Sequence, residues 1–85
     1  MTTNLIYFAW VRERVGRGCE TREIPASITT ARELIVWLSD QGEEYAHAFE
    51  KPETIRVAIN QVHAEHDQSI EGAREIAFFP PVTGG

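Results

Sequence analysis

The sequence predicts an α+β fold, a mixed β-sheet with one long helix laid across one face. Two observations carry this. A single segment in the first half, "TTARELIVWLSD", has helical periodicity, with Ala31, Leu34, Ile35 and Leu38 at i, i+3, i+4 and i+7. Segments rich in β-branched and aromatic residues stand both before it ("NLIYFAWV") and after it ("TIRVAIN", "REIAFF"). Strands on both sides of one helix suit a two-layer domain in which the helix covers the sheet.

Taken in order, residues 4–11 read as the first strand. "RERVGRG" follows as a glycine-bearing turn, and 19–26 as a second strand ended by Pro25, so that the pair forms a hairpin with a longer loop. Thr30 and Glu33 have the capping-box spacing, in which each side chain satisfies a backbone N–H of the other's residue. They open a helix over about 30–41. Gly42 stands where a C-terminal glycine should, and Trp37 flanks the apolar stripe. Residues 43–50 suit a short second helix stopped by Pro52. Residues 54–60 alternate as a strand, 62–65 suit a short edge strand, and 74–79 form the last strand. The expected order is β-β-α-β-(β)-β in a single domain spanning 1–85, with a flexible tail over 80–85.

At 85 residues the chain has room for one domain of marginal stability and little for a catalytic cleft of its own. A formal charge of −5 disfavours nucleic acid and anionic membranes and suits a basic protein partner. Cys19 is the only cysteine, so no intrachain disulfide is possible, and it reads as a packed or edge-strand residue, not as a nucleophile. No apolar run is long enough to span a membrane, and "MTTNLIYFAW" has no basic n-region. A cytoplasmic location is therefore expected. His63, Glu65, His66 and Asp67 ("HAEHD") match no ligand spacing and read as a solvated loop, with no metal expected.

The end of the chain, "FFPPVTGG", raises the functional question. Pro80 and Pro81 have no backbone N–H and must end the strand, and they favour a stiff, extended conformation. The tail is then expected to project from the sheet, with a reach of roughly 20 Å for six residues. Gly84 and Gly85 carry no side chains, so they suit a narrow channel, and the reactive group at the tip is the Gly85 carboxylate. A carboxylate is a poor electrophile until it is adenylated; a sulfur or nitrogen nucleophile can then attack its carbonyl. Phe78 and Phe79 are adjacent in a strand and must face opposite sides, one in the core and one on the open sheet face, where an aromatic suits a partner.

The stretches "EIAFFPPVTGG" (75–85), "LIYFAWVRERVG" (5–16), "TARELIVWL" (30–38) and "VAINQ" (57–61) together resemble the MoaD family, the small subunits of molybdopterin synthase. The resemblance covers essentially the whole chain and implies a β-grasp, ubiquitin-like fold. It implies that Gly85 is adenylated by an E1-like adenylyltransferase using ATP and Mg, with no cofactor bound to the chain itself. A sulfurtransferase would then supply sulfur for a Gly85 thiocarboxylate. The large synthase subunit would bury the tail and pass the sulfur to cyclic pyranopterin monophosphate, forming molybdopterin. Gly85 and Gly84 would carry the chemistry. Phe79, Phe8 on the first strand, Pro80, Pro81, Val82 and Thr83 would meet the partner. The segment "EGAREIA" departs from the family's acidic turn, placing Arg74 where an aspartate is usual and changing the charge near a partner-facing edge. Two other readings stand beside this one. The chain resembles sulfur carriers for thiazole or tRNA thiolation, which generally lack the Phe-Phe-Pro-Pro run, and protein modifiers joined to lysines through a terminal glycine. Lys51 is the only lysine from which such a tag could be extended.

Overall fold

The computed structural model describes residues 2–81. A five-stranded mixed sheet runs in the order β2-β1-β5-β3-β4, built from Thr2–Tyr7 (β1), Cys19–Glu23 (β2), Arg56–Ile59 (β3), Val62–Ala64 (β4) and Glu75–Phe79 (β5). β1 and β5 pair in parallel at the centre, from Asn4 opposite Glu75 to Tyr7 opposite Phe78, and the other pairs are antiparallel. Three helices, Ala9–Val15 (α1), Ala31–Ser39 (α2) and Glu43–Ala48 (α3), bury residues against one face, and a 3-10 turn spans Pro52–Thr54.

The α+β prediction holds, and the sheet is mixed as expected. The helix entry is as the sequence implies. The Glu33 N–H donates to Thr30 Oγ1 at 3.2 Å and the Thr30 N–H donates back to Glu33 Oε1 at 3.2 Å. Ala31, Leu34, Ile35 and Leu38 are all buried, because their spacing puts them on one face.

Three expectations fail in informative ways. First, the initial strand stops at Tyr7 and residues 9–15 are helical, not strand and turn. Val11 and Val15, four apart, fall on the buried side of this helix, and Gly16 closes it at φ +88° with its N–H donating to Arg12 O at 2.9 Å. The apolar content of "YFAWV" mimicked a strand; the 11/15 spacing followed by a glycine was the signal for the helix. Second, Gly42 does not close α2, which ends at Ser39 with Asp40 as its cap; Gly42 instead stands at the N-terminal cap of α3. Third, Phe8 does not belong to β1: it is the residue at the start of α1.

The core centres on Phe78, which is 0% exposed. Its ring stacks on Tyr7, with centroids 5.8 Å apart, and meets Phe49 edge-on at 5.4 Å. One polar cluster closes the side of this core. Glu20 on β2 accepts hydrogen bonds from Tyr7 Oη (2.8 Å), Tyr45 Oη (2.6 Å), Arg22 Nε (3.1 Å) and Arg17 Nη1 (3.2 Å). Burial alone would push the Glu20 carboxyl up. The hydrogen bonds from Tyr45 and Tyr7 and the charge of Arg22 outweigh burial, so it lies below the usual carboxylate range. Burial, followed by the bond to Glu20, raises both tyrosine hydroxyls above their ordinary value.

Candidate functional site: the open sheet face and the exit of the chain

The sheet face opposite the helices has its own pattern, set by the twofold alternation of strands. Pairing aligns Cys19, Ile6, Ala77, Ala58 and His63 in one row across all five strands. The centre of the row is made of two alanines, so the sheet is shallow there. Phe79, one step further along β5 on the same face, is half-buried, and its ring meets His63 edge-on at 6.5 Å. Arg56 is its neighbour across β3.

Phe8 joins this surface by a route other than the one expected. Its backbone is extended (φ −122°, ψ 155°), so the alternation of β1 continues for one more residue and turns its side chain to the side of Ile6. It is 49% exposed, and its N–H donates to Phe78 O at 3.0 Å, which locks the junction of β1 and α1 to the end of β5. The result is a shallow apolar dish, with Ile6, Ala58 and Ala77 as its floor and Phe8 and Phe79 rising from the end where the chain leaves the sheet. Exposed apolar surface of this kind suits contact with another protein.

Pro80 and Pro81 follow directly and are half-buried, so the first two residues after β5 stay against the body of the domain. Val82, Thr83, Gly84 and Gly85, expected to carry the partner contacts and the chemistry, lie outside the described residues.

The "HAEHD" segment is divided between two roles. His63 lies on the open face beside Phe79, whereas His66 Nε2 is paired with Ile55 O at 2.7 Å. Among the described residues no group of three or more His, Cys, Asp or Glu side chains is placed to hold a metal. Cys19 is exposed on the edge strand β2. Arg74 is at the opposite end of β5 from the prolines. There the side chain of Asn60 accepts from the backbone N–H groups of Arg74 (2.9 Å) and Glu75 (3.1 Å). Among the described residues no helix is long and apolar enough to cross a membrane.

A mixed five-stranded sheet gripping its helices on one face, with the last strand in the centre, defines a β-grasp domain of the ubiquitin-like class. The crystal structure of SAMP1 from Haloferax volcanii has the same fold, with a TM-score of 0.73 over the whole of both chains at 21% identity. Residues 5–85 match the ThiS family. Two curated relatives are each named molybdopterin synthase sulfur carrier subunit. That of Haemophilus influenzae is 37% identical over 96% of this chain and 98% of its own. That of Escherichia coli K12 is 36% identical over 95% and 96%. The chain belongs to the ThiS family. The kinship with molybdopterin synthase small subunits, drawn from the motifs above, agrees with these relatives.

Proposed function

We propose that this chain is the sulfur-carrier subunit of a molybdopterin synthase, working with a large subunit that receives its tail. The observation that best supports the reading is the exit geometry. The central strand β5 turns Phe79 onto an open apolar face and then runs through Pro80 and Pro81 out of the sheet, so one partner can hold the dish and take the tail together. The names of relatives 36–37% identical over nearly the full chain point the same way.

In this reading an E1-like enzyme uses ATP and Mg to adenylate Gly85. The carboxylate attacks the α-phosphate and pyrophosphate leaves. The outer sulfur of a sulfurtransferase persulfide then attacks the carbonyl and displaces AMP, and a thiol reductant cleaves the resulting acyl disulfide to the Gly85 thiocarboxylate. The thiocarboxylate donates that sulfur to cyclic pyranopterin monophosphate, and water returns Gly85 to its carboxylate. Gly84 keeps the approach to the carbonyl unhindered, and Val82 and Thr83 meet the partner that receives the tail. The domain contributes binding, orientation and reach, and the reactive steps take place in its partners.

The test is an intact-mass measurement on protein purified from cells, together with ATP–pyrophosphate exchange by an E1-like enzyme. A mass gain equal to exchange of one oxygen for sulfur at Gly85 is expected. Deleting Gly85 should abolish the exchange with the fold intact, because the carboxylate is withdrawn by roughly 3.3 Å and a misplacement of about 1 Å can cost about 100-fold in rate. Normal exchange by the deletion variant, or conjugates on target lysines in place of the sulfur adduct, would refute the reading.

A further inference from the structure

The element hidden in the sequence, α1, stands beside the exit of the chain. Its first turn is locked to β5 by the hydrogen bond from Phe8 N–H to Phe78 O at 3.0 Å. Two residues further on, Trp10 is half-buried and packs against the core. The Arg14 guanidinium lies 4.5 Å from the centre of the Trp10 ring. The same guanidinium donates to His47 O at 3.3 Å and pairs with Glu50 at 3.5 Å. The indole is therefore held by an arginine that is itself tied to the end of α3 and the residues after it. Such cation–π contacts hold orientation as well as adding attraction.

Trp10 also lines a groove of about 360 Å³ together with Lys51, Thr54 and Pro81. Pro81 is the last described residue before the reactive tail. Its φ is fixed by its ring, and Pro80 before it is equally restricted. A direction imposed on this stiff pair carries into the residues that follow, whereas a direction imposed on the glycines would be lost within a bond or two.

We propose that Trp10 is a positioning residue: held by Arg14, it braces the Pro80-Pro81 pair and sets the direction in which the tail leaves the domain. Its use in sulfur delivery rests on the function proposed above; the bracing itself does not. A tail already pointed along its bound course loses less freedom on entering a partner's channel, which strengthens capture and leaves the chemical step unchanged.

The experiment uses the single exposed cysteine. A nitroxide on Cys19 of the full-length free protein broadens the amide signals of the tail according to distance, and the pattern over residues 82–85 reports its direction. Trp10→Ala should redistribute that broadening, Trp10→Phe should restore it, and Arg14→Ala should shift it part of the way. In ATP–pyrophosphate exchange with unlabelled protein, Trp10→Ala should raise KM about tenfold with kcat unchanged. A Trp10→Ala protein that is less stable yet keeps the wild-type broadening and KM would overturn the proposal, leaving Trp10 a packing residue. If Trp10→Ala does not fold, Arg14→Ala keeps the indole and decides the matter: an unchanged broadening pattern overturns the proposal. Absence of exchange in the wild-type protein would count against the sulfur-carrier reading alone; a redistributed pattern would still support the brace.

Discussion

Phe78 and Phe79 are the same residue one step apart, and they belong to two different environments. Phe78 is enclosed by Tyr7 and Phe49 on the helix-covered face. Phe79 is half-buried on the uncovered one, on the same side of β5 as Ala77 and beside His63. The covered face has large interlocking side chains and a polar cluster at its margin. The open face has alanines at its centre and two phenylalanines at the end where the chain departs. The covered face supplies stability. The open face, relieved of that task, presents a shallow surface whose apolar area is spent only when a partner arrives.

Substitutions at the paired phenylalanines test this contrast most strongly. Phe78→Ala should lose about 3–5 kcal/mol, the range for truncating a buried phenylalanine. That is a large fraction of the stability of a domain this size, so urea denaturation should show it largely unfolded or close to it. Phe79→Ala should keep most of its stability in the same assay. Its affinity for the large subunit proposed above as its partner, measured by calorimetry, should fall by about 2 kcal/mol, as for an aromatic anchor at an interface. Equal losses of stability at the two positions would erase the distinction between the faces.

A smaller effect sharpens the account of the covered face. The folded Glu20 carboxyl lies below its ordinary value of 4.5. Its contribution is therefore complete above the unfolded value and is lost as pH falls through the folded one. The denaturation midpoint should decline as solutions are acidified below about pH 4.5, and Glu20→Gln should flatten that decline. At neutral pH the same variant should cost about 1–3 kcal/mol, since Tyr7 and Tyr45 lose a charged acceptor. An acid profile identical in the variant and the wild type would show that Glu20 contributes nothing to it.

The parts of this molecule visible in the sequence were those governed by local rules. Thr30 and Glu33 revealed the start of α2 because a capping box is complete within four consecutive residues. The parity of Phe78 and Phe79 followed from the pleat alone. Phe8 and Trp10 were misplaced because "YFAWV" satisfies strand preference while tertiary packing decides otherwise: Val11 and Val15 find the core only if the chain coils after Phe8. The Glu20 cluster was illegible for a different reason. Tyr45 is 25 residues away from Glu20, and nothing in either neighbourhood indicates that the Tyr45 hydroxyl on α3 reaches the Glu20 carboxylate on β2. The dish was half visible, through Phe79, but its floor of Ile6, Ala58 and Ala77 depends on the register of three strands.

The parallel pairing of β1 with β5 has a mechanical consequence. β5 has a neighbour on each side, β1 and β3. Tension applied along the axis of β5 from its end acts across the hydrogen bonds that hold it, and so shears both ladders. The load is shared by two ladders at once and cannot open them one rung at a time, as it would if an edge strand were peeled outward. Force on the exit is thus resisted by the whole centre of the sheet, and a machine that grips and draws the last residues can pull hard on this domain without unravelling it.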